Sequence, residues 1–142
     1  MSLKPQSSAH GKHVLTYHLV WCVKYRRTLL TREIGDRVKA VLREIAEAID
    51  VEIIEVETET DHVHVIVRLK PTQTVSSVFH RFKGGSAYRI FREFPHLRRR
   101  LRRGHLWSPS KFSSTVGGVT LDKVKKYVQE QRAEMADDTG AA

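Results

Sequence analysis

The stretch "DHVHVIVRL" (Asp61–Leu69) alternates between two kinds of side chain. Val63, Val65 and Val67 fall on one set of positions, His62 and His64 on the other. Successive strand side chains point to opposite faces, so this period of two predicts a strand with a valine face and a histidine face. Residues i and i+2 share a face about 6.5–7 Å apart. The two imidazoles therefore project together, away from the expected core. Just upstream, "VEIIEVETE" (Val51–Glu59) reads as another strand. The short turn "TD" between them makes the pair a hairpin.

Working outward, "HVLTYHLVWCVKY" (His13–Tyr25) alternates and is rich in β-formers, which predicts a first strand. Leu15, Tyr17, Leu19 and Trp21 share one side of it; Thr16, His18, Val20 and Cys22 share the other. "TREIGDRVKAVLREIAEAID" predicts a helix capped by Thr31, with Ile34, Val38, Val41, Leu42, Ile45 and Ile49 as its apolar stripe. A second helix follows Pro71, where Val75, Val78, Phe79 and Phe82 keep a helical period and Ile90, Phe91 and Phe94 resume it. Gly84-Gly85 inside it marks either a kink or a close backbone approach. "PHLRRRLRRG" reads as a basic loop, "HLWSPSKFSSTV" as a fourth strand interrupted by Pro109, and Thr120 to about Met135 as a last helix. The order β-α-β-β-α-β predicts an α+β, ferredoxin-like fold: one antiparallel sheet with helices on one face, plus the C-terminal helix. Such a fold leaves the other sheet face open and does not itself define a function. Residues 1–142 are read as one domain, with 1–12 and 136–142 as flexible tails.

The 142 residues suit one core. At 40% apolar residues the chain is not read as disordered. No apolar run approaches the ~18 residues of a membrane span. "MSLKPQSSAHGKH" lacks an apolar segment behind its charges, so it is not read as a secretory signal. The one cysteine, Cys22, excludes a disulfide framework within the chain and points to a cytoplasmic location. Twenty-five Lys and Arg against sixteen Asp and Glu leave a net charge of +9, which favours a polyanionic partner, nucleic acid before membrane. Arg81, Lys83 and Arg89 on the second helix, Arg98, Arg99, Arg100, Arg102 and Arg103 after it, and Lys123 on the last helix are the candidate DNA contacts.

Two imidazoles alone read either as metal ligands or as a solvated pair; a metal site needs a third donor. In "LDKVKKYVQEQ", Tyr127 and Gln131 stand at i and i+4 on one helical face. Together, the His-x-His strand and the Tyr-x-x-x-Gln helix resemble the single-tyrosine HUH transposases of small bacterial and archaeal insertion sequences that move as single-stranded DNA. The resemblance runs from "YHLVWCVKYRR" through "TDHVHVIV" and "LWSPSKFSSTVGG" to "KKYVQEQ". It implies that His62, His64 and Gln131 bind a divalent metal, Mg²⁺ or Mn²⁺, and that Tyr127 is the catalytic nucleophile. It implies Gly117-Gly118 as a hinge before the tyrosine helix, and a homodimer whose composite sites take the tyrosine in trans. It further implies cleavage and rejoining of single-stranded DNA at hairpin-flanked element ends, through a 5′-phosphotyrosine. Lys111 stands where an aromatic residue is expected.

The chemistry suits these residues. A tyrosine phenol ordinarily ionises near pH 10 and is a weak nucleophile at neutrality, so a metal and nearby lysines would favour phenolate. No nucleotide cofactor is expected, because the Gly pairs lack the Lys-Ser/Thr of a phosphate loop. Two alternatives remain at this stage. One is a domesticated repeat-associated tyrosine transposase with the same chemistry. The other is a non-catalytic ferredoxin-like module that binds single strands.

Overall fold

The computed structural model describes residues 6–7, 13–101, 104–116, 126–127 and 129–130. The elements are β1 (Gln6–Ser7), β2 (His13–Cys22), a 3-10 turn (Lys24–Arg26), α1 (Arg32–Ala48), β3 (Glu52–Thr58), β4 (His62–Leu69), α2 (Val75–Glu93), α3 (His96–Arg99) and β5 (Phe112–Thr115). All pairings are antiparallel. The main sheet runs β5-β2-β4-β3, and the short β1 joins β2 beside β5. This is the α+β, ferredoxin-like arrangement expected from the sequence.

The core lies between the sheet and the two long helices. Leu19 and Trp21 of β2, with Val63, Val65 and Val67 of β4, meet Val38, Val41 and Leu42 of α1 and Val78, Phe79 and Phe82 of α2. The edges of the Phe79 and Trp107 rings meet the Trp21 ring at centroid distances of 6.0 and 5.9 Å, a favoured aromatic geometry. Thr31 caps α1 through its Oγ1, which accepts from the Ile34 N–H at 3.3 Å. Thr74 caps α2 in the same way on Ser77 at 3.1 Å. Burial pushes the Cys22 thiol up to about 11, outweighing the opposing charge of Arg26.

The structure refines several expectations. The first strand ends at Cys22, and the 3-10 turn follows at once. There Tyr25 and Arg26 take positive φ values of 58° and 49°. α2 runs unbroken through Gly84-Gly85, so the pair marks no kink. A Cβ on Gly85 would stand 2.8 Å from Ile45 Cδ1, which shows that its missing side chain lets α1 approach. The basic loop contains the short helix α3. Of the segment expected as a fourth strand, only Phe112–Thr115 is strand; Trp107 makes a single bridge to Val23. Beside that bridge Ser108 N donates to the Cys22 carbonyl at 2.9 Å and Lys24 N to the Leu106 carbonyl at 2.8 Å, and the segment is also tied to α2. The Trp107 indole N–H donates to Ser86 Oγ at 2.9 Å, and Lys83 Nζ donates to the Ser108 carbonyl at 2.7 Å. Pro109 has no N–H to give a sheet ladder. Within the segment expected as an N-terminal tail, Gln6 and Ser7 pair with Val14 and His13. The expected tail 136–142 lies outside the described residues. Among the described residues, no helix is long and apolar enough to cross a membrane.

Candidate active site on the open sheet face

Register decides what the open face displays. Paired residues in an antiparallel sheet share a face. His64 pairs with Val20 of β2 and Glu57 of β3, and Val20 pairs in turn with Phe112 of β5. Phe112, Val20, His64 and Glu57 therefore form one cross-strand row on the side away from the helices. His62 pairs with Cys22, and His18 pairs with Ile66 and Ser114, in the rows on either side.

His62 and His64 stand side by side and half-buried, their rings nearly parallel with centroids 6.0 Å apart. The His18 ring approaches His64 from the neighbouring strand at 5.6 Å. Burial, and then the neighbouring His62, lower the His64 pKa, although Glu59, Glu57 and Glu55 oppose them. Burial and His64 lower His18 likewise. His64 and His18 are thus favoured in the neutral form, the form that carries a lone pair for a cation.

His62 is held from below. Its Nδ1 lies 2.8 Å from Asp61 Oδ1, and Arg26 forms an ion pair with Asp61 Oδ2. Burial disfavours the Asp61 carboxylate. The His62 hydrogen bond and the Arg26 guanidinium outweigh that and hold its pKa below the usual value. Neither Asp61 nor Arg26 is among the site residues expected from the sequence. Arg26 is 35 positions from Asp61 in the chain, so only the β2–β4 pairing brings them together. The one local signal was a carboxylate immediately before the His-x-His strand.

Tyr127 is helical and half-buried. Its ring packs edge-on against Phe112, with centroids 5.5 Å apart at 76°. Since Phe112 belongs to the His64 row, the tyrosine lies over the same face as the histidines. Its hydroxyl is shielded from solvent. Gln131, Gly117, Gly118 and Lys123 lie outside the described residues. Among the described residues, no three His, Cys, Asp or Glu side chains are placed to hold a metal ion together.

The expected DNA contacts divide. Arg81, Arg98, Arg99 and Arg100 are exposed. Arg98 also lies over the Phe91 ring at 5.0 Å. Arg89 is tied to Glu44 at 3.1 Å and Glu93 at 4.0 Å. Lys83 is half-buried, and burial followed by the charge of Lys111 brings its pKa down to about 8. Lys111, where an aromatic was expected, sets its ammonium 5.7 Å from the Phe79 ring centroid. Arg102 and Arg103 lie outside the described residues. Between α2 and the 104–109 segment runs a cleft of about 430 Å³, lined among others by Lys24, Lys83, Tyr88, Phe91, Arg98 and Trp107.

Residues 12–131 match the family model "Transposase IS200 like". The chain is 40% identical over 117 residues to the ISDra2 transposase TnpA of Deinococcus radiodurans, covering 82% of this chain and 84% of that protein. It is 32% identical over 129 residues to the transposase for insertion sequence element IS200 of Salmonella typhimurium, covering 91% of this chain and 84% of that protein. A crystal structure from Deinococcus radiodurans R1, described as a transposase, superposes with a TM-score of 0.79 at 36% identity, over 83% of this chain and 91% of that one. A tyrosine transposase bound to a REP hairpin shares the fold at a TM-score of 0.53 and 16% identity, over 80% of this chain and 62% of that one. With its open histidine face and the tyrosine laid across it, the chain belongs to the IS200-like transposases, the single-tyrosine HUH transposases of small insertion sequences.

Proposed function

We propose that this transposase cuts and rejoins single-stranded DNA through Tyr127, with a divalent metal bound by His62, His64 and Gln131. One observation carries the reading. The phenol and both imidazoles share one sheet face, because Phe112, which Tyr127 packs on, stands in the His64 row.

The donor set fits such a metal. Two neighbouring imidazoles on one face, with the neutral form of His64 favoured, suit Mn²⁺, while Mg²⁺ takes more of its coordination from DNA oxygens and water. When bound, the ion acts as a Lewis acid on a non-bridging phosphate oxygen. The Tyr127 oxygen, as phenolate, attacks phosphorus in line. The P–O3′ bond breaks, leaving a 3′-hydroxyl once protonated and a 5′-phosphotyrosine. A 3′-hydroxyl, on losing its proton, reverses the step and returns the phenolate, so strands are rejoined without ATP.

Hairpin-flanked element ends are the substrate in this reading. The exposed Arg81, Arg98, Arg99 and Arg100 would meet phosphates, which makes binding strongly salt-dependent. Arg102, Arg103 and Lys123 belong to the same proposed surface, and Gly117-Gly118 is the proposed hinge that lets the tyrosine helix move. Lys83 and Arg89 contribute field more than direct contact, since their charged groups already have protein partners. Tyr127 here lies over its own chain's histidine face; the resemblance adds a homodimer in which the tyrosine helix crosses to complete the partner's site in trans. Mixing Tyr127→Phe with His62→Ala subunits, each inactive alone, should then restore activity.

The deciding test is a covalent-adduct assay with labelled single-stranded DNA from the element ends and Mg²⁺ or Mn²⁺. A slow band on a denaturing gel that needs metal and vanishes in Tyr127→Phe supports the reading. DNA retarded on a native gel with no adduct under any of these conditions sinks it in favour of a binding module.

A further inference from the structure

We propose that Asp61, clamped by Arg26, is a positioning residue that fixes His62 in the one tautomer able to bind metal; this rests on the reading of His62 as a ligand. Val23 N donates to the Asp61 carbonyl at 2.9 Å, so the β2 end and the β3–β4 turn are tied together. The same turn is fastened by Leu30 N on the Thr60 carbonyl at 2.9 Å and Glu59 N on the His62 carbonyl at 2.8 Å. The chain then enters the 3-10 turn with Tyr25 and Arg26 both left-handed, at φ 58° and 49°. Neither is glycine, and non-glycine residues rarely adopt this conformation unless the surroundings enforce it. The result is an Arg26 side chain turned inward, 9% exposed, against a carboxylate 12% exposed.

The consequence is chemical. An ionised carboxylate only accepts hydrogen bonds. At 2.8 Å from Asp61 Oδ1, His62 Nδ1 must therefore carry the hydrogen. That leaves Nε2 as the lone-pair nitrogen and fixes the ring about the Nδ1–carboxylate contact. Arg26 occupies the other carboxylate oxygen and stops Asp61 from turning away. Outer partners of this kind orient metal-binding imidazoles and raise their basicity.

Asp61→Asn makes a sharp probe. Arg26 can only donate, so it will take the amide oxygen. The Asn NH₂ then faces His62 Nδ1 and forces the hydrogen onto Nε2, the wrong tautomer for binding. Nitrogen-15 NMR of the metal-free wild type should show His62 as the Nδ1–H form, and Asp61→Asn should invert it. Mn²⁺ affinity measured by calorimetry should fall 10–100-fold in Asp61→Asn. It should fall less in Arg26→Lys, which keeps a cation but not the guanidinium. An Nε2–H tautomer in the wild type overturns the proposal without any variant. If His62→Ala weakens Mn²⁺ binding but Asp61→Asn does not, the positioning role fails alone. If His62→Ala leaves Mn²⁺ binding intact, the ligand reading fails and takes this inference with it.

Discussion

The two faces of β4 are made by the same eight residues and serve opposite ends. On the helix side, Val63, Val65 and Val67 are fully buried in the apolar core. On the other side, His62 and His64 keep partial exposure, and their neighbours are titratable: His18, Asp61 and the Glu55–Glu59 edge. The dry face provides stability and fixes the register. That register then sets which polar side chains meet on the wet face. A slip of one residue would exchange the two sets, so burying the valines is what presents the histidines.

The wet side is the more sensitive of the two faces. His64→Ala should abolish the metal-dependent DNA adduct while moving folding stability by no more than about 0.5 kcal/mol, as expected for a substitution outside the core. An adduct that survives it, on the denaturing gel, would separate the histidine face from catalysis. The converse substitution is Leu19→Ala, on the buried face of the adjoining strand. It should cost about 2–5 kcal/mol in urea unfolding through cavity formation. At a temperature where the variant is still folded, adduct formation should persist.

Lys83 lies on the helix side. Its pKa is brought down to about 8 in the fold, while the unfolded chain keeps the proton up to about 10.5. Below pH 8 both states are charged and the burial penalty is present in full. Between about pH 8 and 10.5 the unfolded state binds more protons, so this group's contribution to stability rises with pH. Relative to Lys83→Met, the wild type should gain stability across that window; a flat difference would show that its ammonium is better solvated than its position implies. The smallest effect belongs to Gly84. A Cβ there meets nothing within 4 Å. Gly84→Ala should therefore stabilise by about 1 kcal/mol, measured by thermal melting, whereas Gly85→Ala must displace Ile45 Cδ1 and should gain less.

Most of the fold was legible because its signals are local and periodic. The valine alternation, the Thr31 cap and the α1 stripe each lie within a few residues of the element they define. What escaped depends on distant partners. The 105–111 segment has strand-like composition, yet its pairing stops after the backbone bonds of Leu106 and Ser108 to the β2 end, where Lys83 takes the Ser108 carbonyl and Trp107 reaches Ser86 on α2. The site divided in the same way. The His-x-His pair and Tyr127 could be chosen from spacing together with family resemblance. Asp61 and Arg26 could not, because their meeting requires the β2–β4 pairing and two left-handed residues that no composition announces.

Cys22 has a practical consequence. It is the only cysteine in the chain, fully enclosed, and its thiol is pushed up to about 11. Only thiolate reacts with maleimides or disulfide reagents, so the native chain is chemically silent toward them. Any cysteine introduced at an exposed position, such as Arg81 on α2, becomes a unique attachment point without first removing the natural one. A pair of dyes, one there and one on the tyrosine helix, would then report in real time whether that helix stays on its own sheet or crosses to another.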